Sequence, residues 1–298
     1  MALKSFSLLC GTALALLSAG CLGLSPGGSP SSRLARSLTF HASFDHGADA
    51  DFAKGDPVLY SASSYKTRAS ARPAVGGPTN ALELARGQGR FGDAVRFTKR
   101  SEGILFYQVA RNFPYRLTDW NGTVSFWLSV DPANDLSVGF CDPVHITSKA
   151  WNDAAFFVEF EKRTEVPFRL GAYADFAAWN PSNRKWEEIP PAERPLLTIP
   201  QPPFGRGQWT HVAFTFSNFN TSRPDGVARL YLNGELAGTI PPRWQTFTWD
   251  EQRAGIMLGI DYIGLLDELA IFDRELTAEE IRALHTLPEG VSSLRRKP

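Results

Sequence analysis

The sequence has few cysteines and no excess of either charge. Its 298 residues include three cysteines, and 31 basic residues balance 31 acidic ones. A chain without net charge gives no support for a nucleic-acid partner, so we expect none. The cysteines stand at positions 10, 21 and 141, so a domain that begins after residue 21 contains only Cys141. Such a domain has no internal disulfide and must be held together by its apolar core.

Motifs of common active sites are also missing. The sequence has no HExxH zinc motif, and its histidines (His41, His46, His145, His211, His285) have no metal-ligand spacing. We expect these histidines on strand surfaces and edges. Stretches with helical periodicity are scarce before the C-terminus, whereas the 21 phenylalanines and eight tryptophans suit the core of a β-sandwich.

The first 36 residues are predicted to lie outside the folded domain. Lys4 precedes an apolar run, Phe6–Leu17, that is too short to span a membrane as a helix. Residues 17–21 (Leu-Ser-Ala-Gly-Cys) resemble a bacterial lipobox, which predicts a signal peptide over residues 1–21 and a lipid on Cys21. Residues 22–36 are rich in Gly, Ser and Pro and are predicted to be a flexible linker. The alternative is an ordinary signal peptide and a secreted protein.

Strict alternation of apolar and polar residues predicts strands through most of the chain. The clearest example is Thr123–Val130, where every second residue is large and apolar. Another strand over Val212–Phe216 leads to a hairpin whose turn is Asn233-Gly234, the strongest short signal for a type I′ turn. We expect Tyr231 opposite Leu236 and Leu230 opposite Ala237.

Three stretches resemble laminin-G-like jelly rolls of the concanavalin A-like lectin/glucanase superfamily. They are Gly207–Ala213 with Leu230–Gly234, Gly89–Phe97, and Leu265–Phe272 followed by Asp273–Ile281. The resemblance implies an all-β fold, a jelly-roll β-sandwich of two antiparallel sheets with a short C-terminal helix. We assign residues 37–288 to this domain and residues 289–298 to a basic tail. Thr277 and Glu280 predict a capping box, and Leu276 with Ile281 a hydrophobic staple, at the start of the helix.

The resemblance leaves two classes of function open, because this fold hosts both binding modules and glycoside hydrolases. Hydrolases of this fold carry acidic residues at alternate positions of one strand. The nearest run here is Val158-Glu159-Phe160-Glu161, whose carboxylates would share a face. The simpler interpretation is a solvated strand face. Absence of a full acidic run favours a non-catalytic module over an extracellular glycoside hydrolase or lyase.

The segment 175–206 is the largest departure from a minimal jelly roll. It is long and proline-rich, and such loops are more often functional than not. Trp151, Tyr173, Trp179 and Trp186 lie in or near it and are the candidate ligand-binding residues, because flat rings suit sugar faces and protein interfaces. The alternative is that they pin the loop to the sandwich. We expect Trp186 to pack inward and Trp179 to be more exposed.

Asp45 and Asp267 are candidate metal ligands. The resemblance places the first and last strands side by side, and jelly rolls of this kind often hold a structural calcium ion near such acids. Calcium takes several oxygen ligands from carboxylates and backbone carbonyls. The alternative is that both aspartates only accept hydrogen bonds in turns.

Together these observations predict a binding module anchored at the bacterial cell envelope. Its expected partner is a glycan or a cell-surface protein, and its expected contact with the membrane is the lipid on Cys21 alone. Calcium is the one cofactor that the resemblance implies.

The lipobox gives the first testable prediction. Replacing Cys21 with Ser removes the acylated thiol, so the protein should move from the membrane fraction to the soluble fraction of a bacterial host. Incorporation of labelled fatty acid into the wild type provides the control. A Cys21→Ser protein that stays in the membrane fraction contradicts the prediction.

Overall fold

A computed structural model describes residues 29–74, 82–100 and 102–295. Its strands form two sheets. The first sheet contains β1 (Leu38–Ala42), β2 (Phe52–Ala53), β5 (Leu82–Ala85), β6 (Ala94–Phe97), β8 (Trp120–Ser129), β13 (Thr210–Phe219), β14 (Gly226–Leu232), β15 (Glu235–Arg243) and β17 (Gly264–Phe272). The second contains β3 (Tyr60–Ala62), β4 (Arg72–Pro73), β7 (Ile104–Gln108), β9 (Gly139–Ala150), β10 (Asp153–Lys162), β11 (Phe168–Tyr173), β12 (Leu196–Ile199) and β16 (Gly255–Ile260).

Neighbouring strands are antiparallel in both sheets, which confirms the predicted β-sandwich. The first sheet runs β15-β14-β13-β8-β17-β1-β2, with β6 and β5 attached beside β17. The second runs β12-β11-β10-β9-β16-β7-β3-β4. The α-helices are short: α1 (Pro30–Ser37), α2 (Pro132–Asp135), α3 (Phe176–Trp179) and α4 (Ala278–His285). Within the described residues, no helix is both long and apolar enough to cross a membrane.

Aromatic rings fill the space between the sheets. Trp120 is fully buried and lies with its ring centroid 4.8 Å from Phe216, 4.9 Å from Trp249 and 5.6 Å from Phe156. Its indole N–H donates to the carbonyl of Pro114 at 2.8 Å, so the buried polar atom is satisfied. Cys141 is buried and free. No disulfide cross-links the core within the described residues, because Cys141 is the one cysteine that they contain.

The outer face of the first sheet is covered by the ends of the chain. Leu34 of α1, Ile281 of α4 and Val291 pack with outward-facing residues of this sheet, among them Ala213 and Ala270. The predicted linker over 22–36 is therefore wrong for residues 30–36, which are helical, and the predicted tail is wrong for residues 291–295, which form a 3₁₀ turn. Leucine and valine at these positions give each segment an apolar face that the sheet buries. Residues 21–28, with Cys21, lie outside the described residues.

The local signals near the C-terminus are confirmed. Asn233 and Gly234 have φ angles of 51° and 82°, the left-handed conformations of a type I′ turn. Thr277 accepts a hydrogen bond from the Glu280 amide, and the Glu280 carboxylate accepts one from Thr277. Tyr231 pairs with Leu236 as predicted, but Leu230 pairs with Gly238, because a bulge adds one residue to β15.

The hairpin turn gives a prediction on stability. Asn233→Val should cost roughly 1–3 kcal/mol of unfolding free energy, because a β-branched side chain resists positive φ. It also removes the Asn233 oxygen that accepts a hydrogen bond from the His211 amide at 3.0 Å. Asn233→Gly loses the same acceptor but tolerates the angle, so chemical denaturation should find it less harmful. Equal losses in the two variants would show that the turn does not depend on φ.

Candidate functional site

The outer face of the second sheet carries a row of large side chains directly across the strands. Phe157 of β10 pairs with His145 of β9 and with Gly171 of β11. Because Phe156, Val158 and Phe160 point into the core, the alternate residues Phe157, Glu159 and Glu161 must point outward. Glu159 and Glu161 therefore share a face, as predicted. The expected solvated face is wrong, since Phe157 and Glu159 are only 2% and 6% exposed.

Segment 175–206 helps to enclose this face as a wall. It contains α3, two 3₁₀ turns (Trp186–Glu188 and Pro191–Glu193) and β12, which pairs with β11 at the edge of the sheet. Trp151 projects from the turn between β9 and β10 on the same side. Together they border a groove of about 510 Å³. We call it the groove; its aromatic and charged lining residues are Phe140, Asp142, His145, Trp151, Phe157, Glu159, Glu161, Arg163, Arg169, Tyr173, Trp186, Glu187 and Asp261.

Stacked rings form the floor of the groove. The imidazole of His145 stacks on Phe157 with 5.4 Å between centroids, and Phe157 stacks on Tyr173 at 5.6 Å. Gly171 makes room for the Phe157 ring, because a Cβ atom at this position would lie 2.3 Å from it. Trp151 meets Tyr173 edge-on at 5.7 Å and Trp186 at 6.0 Å. The groove thus has an aromatic floor and an aromatic rim.

Two rim residues keep a large part of their rings in solvent. Phe140 is 52% exposed and Trp151 is 51% exposed, whereas most large apolar residues of the domain are buried. Tyr173 is fully buried, and its hydroxyl has no hydrogen-bond partner in the protein. A buried hydroxyl without a partner costs about 1–3 kcal/mol, which a hydrogen bond from a bound molecule would offset.

Two clusters of charged residues lie in the groove. Arg169 binds Glu159 with its Nη2 atom at 2.5 Å and Glu161 with its Nη1 atom. Asp142 binds the His145 ring nitrogen Nδ1 at 2.8 Å. Burial, together with the nearby Asp142 carboxylate, raises the pKa of Glu159 to about 8, although Arg169 acts in the opposite direction.

Three of the four predicted ligand-binding residues lie together in the structure, and the fourth does not. Trp151, Tyr173 and Trp186 line the groove. Trp179 instead packs against the main core, and its indole N–H donates to the carbonyl of Asn152 at 2.8 Å. The expectation that Trp179 is the more exposed of the two rings is therefore wrong, because both rings are half-buried and α3 turns the Trp179 ring toward the sandwich.

Nothing in the sequence marks Phe140, Asp142 or Arg169 as members of the site. Phe140 and Asp142 were missed because Pro143 suggests the end of a strand. In the structure β9 continues through Pro143 by means of a bulge, since Cys141 pairs with Phe160 and Val144 with Val158. Arg169 is opposite Glu159 on the neighbouring strand, a pairing that no local pattern reveals.

Asp45 and Asp267, the predicted calcium ligands, converge on one loop. Strand β1 pairs with β17 as the resemblance implies. Asp45 accepts a hydrogen bond from the Asp93 amide at 2.7 Å, and Asp267 accepts one from the Phe91 amide at 3.1 Å. Burial raises the pKa of Asp267 to about 8, because the carboxylate is fully enclosed beside Glu268.

Carboxylate oxygens are ligands that calcium accepts, and a cation would neutralise the buried Asp267. In the structure these oxygens accept backbone amides, those of Phe91 and Glu268 at Asp267 and that of Asp93 at Asp45, as the hydrogen-bonding alternative expects. The described residues contain no group of three or more His, Cys, Asp and Glu side chains placed to hold a metal, so backbone oxygens would have to complete the shell.

Comparison with known proteins identifies a family. The Laminin_G_3 family, described as the Concanavalin A-like lectin/glucanases superfamily, matches residues 108–282. None of the curated proteins compared with the chain matches it in sequence.

Several solved structures share the fold at low sequence identity. Domain 4 of an extracellular arabinanase from Geobacillus stearothermophilus, in complex with arabinotriose, has a TM-score of 0.51 and 18% identity; the match covers 84% of this chain and 98% of that one. The binding domain of botulinum neurotoxin DC in complex with SialylT has a TM-score of 0.55 and 12% identity, over 88% of this chain and 52% of that one. Trypanosoma rangeli sialidase has a TM-score of 0.50 and 14% identity, over 84% of this chain and 32% of that one. The chain therefore spans about half of the toxin domain and a third of the sialidase, and the likeness concerns the fold.

Glu159 gives a prediction on pH. Its pKa in the folded state is about 8, above the ordinary value of 4.5 for a glutamate, so the folded protein holds this proton more tightly than the unfolded chain does. The resulting stability is complete below pH 4.5 and is lost as the pH rises toward 8. Melting temperatures of Glu159→Gln should therefore fall less than those of the wild type across this range.

Glu161→Gln is the matched control, because it removes the other carboxylate of the same Arg169 pair. The charge of Glu161 contributes to the raised pKa of Glu159. This variant should keep the fall in stability and move it to lower pH. If the decrease in melting temperature with rising pH is reduced equally in both variants, Glu159 is not the source of that decrease.

Proposed function

Because the chain belongs to the concanavalin A-like lectin/glucanases superfamily, we propose that it is a non-catalytic module that binds a glycan in the groove. The observation that carries this proposal is the aromatic floor with two half-exposed rings at its rim. Rings of this kind pack on the apolar faces of sugars, as large aromatic residues do in many interfaces. The unpartnered hydroxyl of Tyr173 offers a hydrogen bond to a sugar hydroxyl at the same place.

The shape and polarity of the groove support a glycan over a flat protein surface. A volume of about 510 Å³ lies within the range of small-molecule sites, in which a few polar groups stand among apolar rings. The arabinanase domain with arabinotriose and the toxin domain with SialylT have the same fold, which agrees with a glycan ligand. A cell-surface protein is the alternative ligand, and binding to purified glycans distinguishes the two.

One observation favours the second candidate, an extracellular glycoside hydrolase or lyase. Glu159 lies in the groove with a raised pKa, a property of general acids in glycosidases. Arg169, however, engages both Glu159 and Glu161, so neither carboxylate is free to act as nucleophile or base. Release of new reducing ends from a bound glycan, lost in Glu159→Gln, would establish the enzyme.

Attachment to the cell envelope through a lipid on Cys21 is part of the proposed function. It is supported by the spacing of residues 17–21. Secretion without an anchor is the alternative, and cell fractionation separates them.

Two tryptophans provide the test of glycan binding. Trp151→Ala removes a half-exposed ring from the rim, so unfolding free energy should change by about 0.5 kcal/mol or less while glycan binding falls strongly. Trp179→Ala removes a ring that packs on the core and should cost roughly 3 kcal/mol. Below its melting temperature, Trp179→Ala should still bind.

Both variants should be compared with the wild type by thermal melting and on a glycan array. Phe140→Ala provides a second rim variant from the opposite strand end. A Trp151→Ala protein that loses stability and shows no separate binding defect contradicts the proposed groove.

Calcium binding near Asp45 and Asp267 is proposed as a structural feature of the same domain. A ligand present at a hundred times its dissociation constant stabilises the folded state by about 2.7 kcal/mol. Millimolar calcium should therefore raise the melting temperature relative to chelator. Asp267→Asn should abolish the difference, and an unchanged wild-type melting curve would contradict calcium binding.

A further inference from the structure

A second pocket lies on the same outer face of the second sheet, toward its opposite edge. It has a volume of about 300 Å³ and lies against the 3₁₀ turn Tyr65–Ser70. We call it the basic pocket; it is lined by Tyr60, Tyr65, Lys66, Arg68, Phe106 and Arg253 together with alanines and glutamines. None of the described residues that line it is acidic.

The central cation of the basic pocket is fixed in place without a carboxylate. Arg68 donates from Nε to the carbonyl of Tyr65 at 2.9 Å and from Nη2 to the carbonyl of Ser148 at 3.3 Å. Its guanidinium also lies over the Tyr65 ring, 3.5 Å from the centroid. These hydrogen-bond partners are neutral, so they orient the guanidinium without forming an ion pair. Burial lowers the pKa of Arg68 and the neighbouring Arg253 lowers it further, whereas Tyr65 and the Asp250 carboxylate raise it.

Two more cations line the basic pocket beside Arg68. Lys66 extends from the same 3₁₀ turn, and Arg253 extends from the turn before β16. Both side chains are exposed, and no ion pair joins either of them to an acid within the described residues. Two acids lie beside the pocket. Asp56 accepts from the Tyr60 hydroxyl at 2.8 Å, and Asp250 accepts from the Gln252 amide at 3.1 Å while its charge also acts on Arg68.

Like charges that converge without a counter-ion are unfavourable, and an anion between them would relieve the repulsion. A carboxylate matches these cations best, because the exposed Arg253 guanidinium, which makes no hydrogen bond to the described residues, can offer it two parallel donors. The Tyr60 and Phe106 rings stack 5.9 Å apart beside the cations and provide an apolar surface for the body of the ligand.

The basic pocket and the groove share one floor. Phe106 pairs with Met257, Met257 with His145, and His145 with Phe157. Three strand spacings separate Phe106 from Phe157, which corresponds to roughly 14 Å. An extended molecule lying across the strands would therefore reach both sites.

We propose that the basic pocket binds the carboxylate of an acidic sugar, a uronate unit of a glycan that crosses this face. The part of the proposal that makes the anion a unit of a glycan rests on the proposed function of the groove. The part that makes the basic pocket an anion site rests on its cations alone. Lys66 and Arg253 supply charge, and Arg68 supplies the fixed guanidinium.

The test compares two forms of the same sugar chain. An oligogalacturonate is measured against its fully methyl-esterified form by titration calorimetry, first with wild-type protein. The free acid should bind about tenfold more tightly than the ester, and added salt should reduce this preference. Equal affinity for the two forms overturns the proposal.

Variants then locate the preference. The double variant Lys66→Gln with Arg253→Gln changes only exposed side chains, so it should fold normally and lose the preference for the free acid. Lys99→Gln, which removes an exposed charge after β6 of the other sheet, is the matched control and should keep it. A preference that survives in the double variant overturns the assignment of the pocket.

Two further measurements separate this proposal from the proposed function of the groove and from binding of any free anion. Trp151→Ala should weaken the binding of the free acid and of the ester by the same factor and leave the ratio of the two affinities unchanged. If Trp151→Ala has no effect while that ratio depends on Lys66 and Arg253, glycan binding in the groove is contradicted and anion binding in the basic pocket is supported. Inorganic sulfate is the free-anion probe. If sulfate binding depends on Lys66 and Arg253 but the uronate chain binds no better than sulfate, the pocket binds anions in general and the proposal of an acidic sugar is overturned.

Discussion

Packing of aromatic rings between the two sheets is the interaction on which the rest of the structure depends. Trp120, Phe156 and Phe216 come from three different strands and meet in the space between the sheets. With no disulfide in the described part of the chain, these contacts and their neighbours hold the sandwich closed. They also fix which face of β10 points inward, because the Phe156 ring packs on the rings between the two sheets. Once that side chain points inward, Phe157 and Glu159 are committed to the outer face.

Local patterns predicted the parts of the fold that depend on short-range physics. Alternation found the strands, Asn233-Gly234 found the type I′ turn, and Thr277 with Glu280 found the start of α4. Bulges were not predicted, because the extra residue in β15 changes the pairing without changing the pattern. The same limit hid the continuation of β9 through Pro143.

The residues of the candidate site that stand out by their type could be predicted from the sequence. The residues that belong to the site only through the pairing of strands could not. Rings near a long proline-rich segment pointed to Trp151, Tyr173 and Trp186, which do line the groove. Arg169 gave no signal, because its role comes from lying opposite Glu159 on the next strand. Trp179 has the same sequence context as Trp186 but a different environment, because the direction of a ring depends on the turn that carries it.

Helix α1 and the groove lie on opposite surfaces of the sandwich. Leu34 fastens this helix to the outer side of the first sheet, whereas the groove opens on the outer side of the second. The two sheets stack about 10 Å apart, so these sides are the two opposite surfaces of the sandwich. Pro30, where α1 begins, therefore belongs to the surface opposite the groove. A molecule in the groove and a molecule on α1 would occupy opposite surfaces of one domain and would not compete for space.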